Sequence, residues 1–260
     1  MESDNKSLGL SLSEDVMSEK YSSPAFGPEV LVLDGQSIFS ETAPATPLYQ
    51  MSRSVTTLSL KSTSVLLERI ENDLPGNAQG EARTTQRKPI FYLAHPLHAQ
   101  YRTDTSSYYI TSASPEMLGN VRLEISKPLL QKPGFQALLT PKKTASDSPL
   151  FNEEAQEPLF NAKPKWKGGK YKWTDADGKQ VAIEEGKEDR HRLVITASMQ
   201  TEMKDALVAL WALRLWHDTA ESSKSKREVL ESMTPPSAVY PDTTLGKRAG
   251  ALSGVAGGAC

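Results

Sequence analysis

The sequence predicts a mostly β (α+β) fold, a sheet of short strands closed around one apolar helix. Three observations carry that expectation. Short apolar runs recur between turn signals through the first two thirds of the chain. One hairpin, residues 170–184, is written out in full. Residues 201–217 (TEMKDALVALWALRLWH) then change period and are apolar on every side. A helix with no wet face must be buried all round, and a closed sheet can surround it while leaving no exposed edge strand.

The strands come in order. Val30-Leu31-Val32-Leu33 is an apolar run stopped by Asp34-Gly35, a turn pair. Pro44 and Pro47 mark an extended entry segment. Val65–Ile70 ends at Pro75-Gly76, and residues 76–88 read as a polar loop. Ile90–Leu93 and Ser107–Ile110 follow. Val121, Leu123 and Ile125 alternate with Arg122 and Glu124, the period of a strand with one wet face. In the hairpin, Tyr171 and Trp173 alternate with Lys172 and Thr174, and Val181 and Ile183 alternate with Gln180 and Ala182. Asp175-Ala176-Asp177-Gly178 joins the two arms through an Asp-Gly turn. Leu193–Thr196 is the last strand.

In the helix, Thr201 is the expected N-cap, and Glu202 and Asp205 suit the positive end of the helix dipole. From Ala206 to Trp216 the only polar residue is Arg214. Seventeen residues span about 25 Å. The apolar stretch of 11 residues falls short of the ~20 that a membrane span requires, so no transmembrane segment is expected.

The chain has 260 residues, of which 38% are hydrophobic and 24% charged. That supports one domain of roughly 190 residues with polar flanks. Residues 1–28 are expected to be a disordered N-terminal tail, 29–218 the folded domain, and 219–260 a disordered C-terminal tail. The net charge of −2 offers no basic excess for nucleic acid. The one cysteine, Cys260, allows neither an internal disulfide nor a thiolate zinc site. With no signal-peptide pattern at the start, the expected location is cytoplasmic or nuclear.

The pattern also resembles a known family. Pro47-Leu48-Tyr49-Gln50-Met51-Ser52-Arg53 with Thr56-Thr57, then Gly119-Asn120-Val121 and Glu157-Pro158-Leu159-Phe160, resemble the fungal members of the tubby C-terminal-like superfamily, which also takes in LURP-one-related proteins and scramblases. So do the hairpin Tyr171–Gly178 with Val181–Glu184, and the close Leu193–Ala197 with Asp205–Trp211. The resemblance covers about residues 30–218. It implies a barrel of about a dozen strands around a central helix. Tubby proteins bind phosphoinositides through basic residues, and scramblases carry a calcium segment and an anchor. The resemblance maps none of those positions onto this chain, and a shared fold does not set a function.

One constellation stands out chemically. Lys163, Lys165, Lys167, Lys170 and Lys172 fall within ten residues, interleaved with Trp166, Tyr171 and Trp173. Such a patch suits phosphate or an anionic lipid head group. A solvated loop leading into a strand explains the same lysines, with Glu184, Glu185, Glu188 and Asp189 as the acidic counterpart. Gly168-Gly169-Lys170 lacks the spacing of a phosphate-binding loop. Asp175-x-Asp177-Gly178 begins like a calcium loop but has Gly186 where the twelfth-position glutamate belongs, so it reads as a turn. His95 and His98 flank Pro96, which argues against a shared helical metal face, and His191 and His217 lie far off in sequence. No metal site, cofactor or catalytic motif is expected, and Trp211 and Trp216 read as core. The leading expectation is a non-catalytic interaction or anionic-lipid/phosphate-binding module, with lipid head groups or a protein as partner. The alternatives are an accessory protein of fungal secondary metabolism that binds a small molecule, with or without enzymatic activity, and a structural partner protein.

Overall fold

The computed structural model describes residues 27–72, 85–97, 106–126, 132–165, 171–186 and 190–222. Its twelve strands are β1 (Glu29–Asp34), β2 (Ser37–Ser40), β3 (Ala43–Met51), β4 (Ser64–Asn72), β5 (Thr85–Ala94), β6 (Tyr109–Ser112), β7 (Gly119–Ser126), β8 (Gly134–Pro141), β9 (Glu157–Pro164), β10 (Tyr171–Asp175), β11 (Gln180–Glu185) and β12 (His191–Ile195). Each strand pairs with its sequence neighbours, and β12 pairs with β1, so the sheet closes into an antiparallel barrel. The chain then turns inward as helix α1 (Thr201–Ala220). The expectation of a closed sheet around one helix holds.

The helix has the surroundings its composition demands. Lys204 through His217 are all buried, including Ala206, Leu207, Leu210, Trp211, Leu213 and Trp216 at 0% exposure. They meet one continuous core of inward-facing strand residues, among them Leu31, Ile38, Leu67, Phe91, Ile110, Val121, Phe160, Trp173 and Leu193. Burial on this scale, at about 25 cal/mol per Å² of apolar surface, holds the helix inside the barrel. Among the described residues no helix is long and apolar enough to cross a membrane.

Several local expectations are corrected. The N-cap is Gln200, with no side-chain cap bond, and Thr201 is the first helical residue. The helix runs to Ala220, three residues past the expected end. Residues 85–88 belong to β5, where they extend the ladder with β4 (Arg69 opposite Lys88, Ile70 opposite Arg87), so the polar loop is shorter than its composition suggests. The segment with Pro44 and Pro47 is strand β3, bulged where it pairs with β2, which is how prolines without an amide donor are accommodated.

The hairpin forms as written, but its second arm has the opposite phase. Trp173 faces Ala182 and Lys172 faces Ile183, with a register shift between Trp173 and Thr174. Ala182 and Glu184 are therefore on the inner face with Trp173, and Ile183 is on the outer face with Lys172. The turn itself is made by the Asp175 carboxylate, which accepts from the Lys179 amide at 2.9 Å, and by Gly178 at φ 79°. A left-handed residue there favours glycine. The tails at residues 1–26 and 223–260 lie outside the described residues.

Candidate functional site

The lysine-rich segment divides between what the fold positions and what lies outside. Lys167, Lys170 and Trp166 are outside the described residues. Lys163, Lys165 and Lys172 are described. Lys163 on β9 stands directly opposite Lys172 on β10. Their inward neighbours are Ala162, Tyr171 and Trp173, all buried, so by strand alternation both lysines face outward. Lys163 and Lys165 are exposed and Lys172 is half-buried. Directly opposed like charges on one sheet face cost up to about 1 kcal/mol.

The acidic counterpart expected for these lysines is engaged elsewhere. Glu184 is buried and turns inward, where it accepts from Trp173 Nε1 at 2.8 Å and pairs with Arg214 of α1. Glu185 lies 3.7 Å from Arg192. Glu188 and Asp189 are outside the described residues. Among the described residues, Lys163, Lys165 and Lys172 have no carboxylate within 4.0 Å.

Inside the barrel the two ends of α1 differ. Near its N-terminus every charged group has a partner. Asp205, at 0% exposure, accepts from Tyr49 Oη at 2.9 Å and from Arg69, which also pairs with Glu71. Lys204 pairs with Glu29. Burial pushes the Asp205 carboxyl up to about 6, against the pull of Arg69 and the Tyr49 hydroxyl. The same burial, with the charge of Asp205, raises the Tyr49 phenol well above its ordinary range.

Near the C-terminus of α1 the arrangement is aromatic and incompletely paired. Arg214, the polar residue that interrupts the apolar helix, binds Glu184 and reaches Asp218 at 2.6 Å, and its guanidinium lies 4.4 Å from the centre of the Tyr171 ring. His217 packs edge-on against Tyr108 and Phe135, each with ring centres 5.1 Å away. His95 stacks on Tyr108 at 4.3 Å and takes part in a 2.7 Å hydrogen bond between Nδ1 and the Ser107 carbonyl. Trp216 closes the group, 6.3 Å from Tyr108 and 6.1 Å from His95. Two histidines remote in sequence thus meet on one tyrosine. Burial holds His95 below the usual imidazole range, and His217 adds to that effect. Burial also raises both phenols, Tyr171 to about 12.

Three buried polar atoms in this cluster have no hydrogen-bond partner among the described residues: Tyr108 Oη, Trp216 Nε1 and His217 Nε2. A buried donor or acceptor left unpaired costs about 1–3 kcal/mol. At the other end of the helix, Lys204 and Asp205 are both paired.

Sequence reasoning did not single out Tyr108, Phe135 or Asp218, and it placed Glu184 on the wrong face. One signal was available. An arginine inside an apolar helix requires a buried carboxylate, because an isolated charge in a dry core is far too costly. A further surface feature is a cleft of about 250 Å³ lined by Val32, Phe39, Pro44, Arg190 and Arg192. Its Arg192 is already engaged by Glu41 at 2.6 Å.

Fold and site together define a twelve-stranded antiparallel barrel that encloses a helix, with a basic outer ridge and an unevenly paired polar interior. No protein-family profile, curated protein or solved structure matches the chain.

Proposed function

We propose that the protein is a non-catalytic binding module of the tubby-like type, which takes an anionic, phosphate-bearing ligand on the ridge formed by Lys163, Lys165 and Lys172. The carrying observation is the direct apposition of Lys163 and Lys172 on the outer face, with no carboxylate beside either among the described residues. A bound phosphate would offset that repulsion, and two ammonium groups on adjacent strands are well placed to share one. The tubby-like part of the reading is supported by the closed barrel and its central helix. An intracellular location fits a chain whose single cysteine cannot close an internal disulfide.

The test uses the full chain with phosphatidylcholine vesicles, with and without phosphatidylserine, and separately with inositol hexakisphosphate. Wild-type protein should bind the acidic vesicles at low salt and release as salt rises, since exposed charges are screened over about 8–10 Å at physiological ionic strength. Lys163→Glu/Lys172→Glu should abolish binding. Binding to inositol hexakisphosphate with none to vesicles assigns the ridge to a soluble phosphate. If wild-type protein ignores both probes at low salt, the proposal fails.

A further inference from the structure

The cleft on the outer face of β1, β2 and β12 has the parts of a second binding site, independent of the lysine ridge. Strand alternation builds its floor. Leu31 and Leu33 point into the barrel, so Val32 and Asp34 point out, and so does Phe39 between the buried Ile38 and Ser40. Val32 stands opposite Phe39 on β2 and opposite Arg192 on β12, which makes one row across three strands. Val32, Phe39 and Pro44 supply apolar surface beside an open volume of about 250 Å³. Sites for drug-sized ligands run to roughly 300–1,000 Å³, so a molecule that fits here is smaller.

The charged groups around that floor are not equivalent. Arg192 is shared between Glu41 at 2.6 Å and Glu185 at 3.7 Å, so its charge is already met. Asp34 and Arg190 line the same cleft, and among the described residues neither makes an ion pair within 4.0 Å. Leu33 faces His191, so Asp34 and Arg190 stand one position beyond that pair, on neighbouring strands. One unpaired carboxylate and one unpaired guanidinium beside an apolar floor match a ligand that carries both an ammonium and a carboxylate. A plain anion would be repelled by Asp34 and a plain cation by Arg190, and a zwitterion avoids both. An exposed pair of this kind, were it to close on itself, is held too weakly to exclude a ligand. We propose that this cleft binds a free α-amino acid with a large apolar side chain. Its ammonium meets Asp34, its carboxylate meets Arg190, and its side chain lies over Val32, Phe39 and Pro44.

The experiment titrates the full chain with L-phenylalanine, followed by ligand-observed NMR at pH 6.5 and low salt. Three further compounds each lack one feature: N-acetyl-L-phenylalanine the ammonium, L-phenylalaninamide the carboxylate, and L-alanine the ring. The expected result is saturable binding of L-phenylalanine in the millimolar range. Loss of either charge should weaken it about fivefold, the upper end for an exposed ion pair. Loss of the ring should weaken it about tenfold, since the apolar floor is then left uncovered. Asp34→Asn should weaken L-phenylalanine about fivefold and should not weaken the N-acetyl compound. Arg190→Gln should weaken L-phenylalanine by the same factor and should not weaken the amide. Both residues are exposed, so both variants should fold. The proposal is overturned if wild-type protein gives no saturable response at millimolar L-phenylalanine, or if any of the three other compounds matches it. It is also overturned if either folded variant binds L-phenylalanine as wild type does. The comparison of compounds on wild-type protein decides the matter even if neither variant folds.

Discussion

Replacing Arg214 with Met tests whether the interior ion pair is what the structure shows. Arg214 is 3% exposed and binds Glu184, itself 9% exposed, together with Asp218. Methionine fills much of the same volume, so little cavity is made. The loss comes from Glu184, left as a buried carboxylate with Trp173 Nε1–H as its remaining donor. Removing one partner of a buried pair costs about 3–5 kcal/mol. For a domain of this size each kcal/mol moves the melting temperature by about 2–4 °C, so the expected drop is about 6–20 °C. The double variant Arg214→Met/Glu184→Gln keeps an acceptor for Trp173 and removes the stranded charge, and it should recover most of the loss. The pH dependence has a definite sign. Burial already raises the Glu184 carboxyl, and loss of Arg214 removes the main group that holds it down. A carboxyl raised in the folded state favours the fold when protonated, so the defect should shrink on going from pH 7 to pH 4–5. Thermal melts of the three proteins across that range are sufficient. A single variant within about 1 kcal/mol of wild type, or a double variant no better than the single, would refute the pairing.

Other expected outcomes follow from the same structure. Leu210→Ala should cost about 2–5 kcal/mol by chemical denaturation, and Leu210→Asp should yield no soluble folded protein, because Leu210 is at 0% exposure inside the barrel. A position in Ala206–Trp216 that tolerates Asp would contradict the enclosed helix. Asp205, raised from 3.8 to about 6, binds its proton more tightly when folded. Its contribution is complete below about pH 4 and falls away by about pH 6, a change of about 3 kcal/mol at 1.36 kcal/mol per pH unit. In Asp205→Asn the stability profile between those values should flatten by that amount, and an unchanged profile would show that Asp205 titrates normally. Gly186→Ala should destabilise strongly, since φ is 133° there and a Cβ would sit 1.7 Å from the Arg190 carbonyl oxygen. Wild-type melting in Gly186→Ala would mean that the connection from β11 to β12 is built differently.

By itself the sequence determined the kind of object this is. An apolar stretch from Ala206 to Trp216 with no wet face has to be enclosed, and a run of short period-2 strands is the material that encloses it. Those features are local, because burial imprints its period on neighbouring residues. The weaker strands were less legible: β2 is four residues long, and β9 begins Glu157-Pro158, so neither shows a clean alternation. Only the tertiary structure decided which residues meet. Glu184 pairs with Arg214 because the register shift at Trp173/Thr174 sets the phase of β11, and a slip of one residue would turn Glu184 outward. Lys163 faces Lys172 because β9 and β10 pair in that register. His95 and His217 share Tyr108 because barrel closure brings the start of β6 to the last turn of the helix. Contacts of this kind join residues up to 175 positions apart. Periodicity tells a side chain which face it lies on, while its partner across that face depends on how separate segments align, and no single segment carries that information.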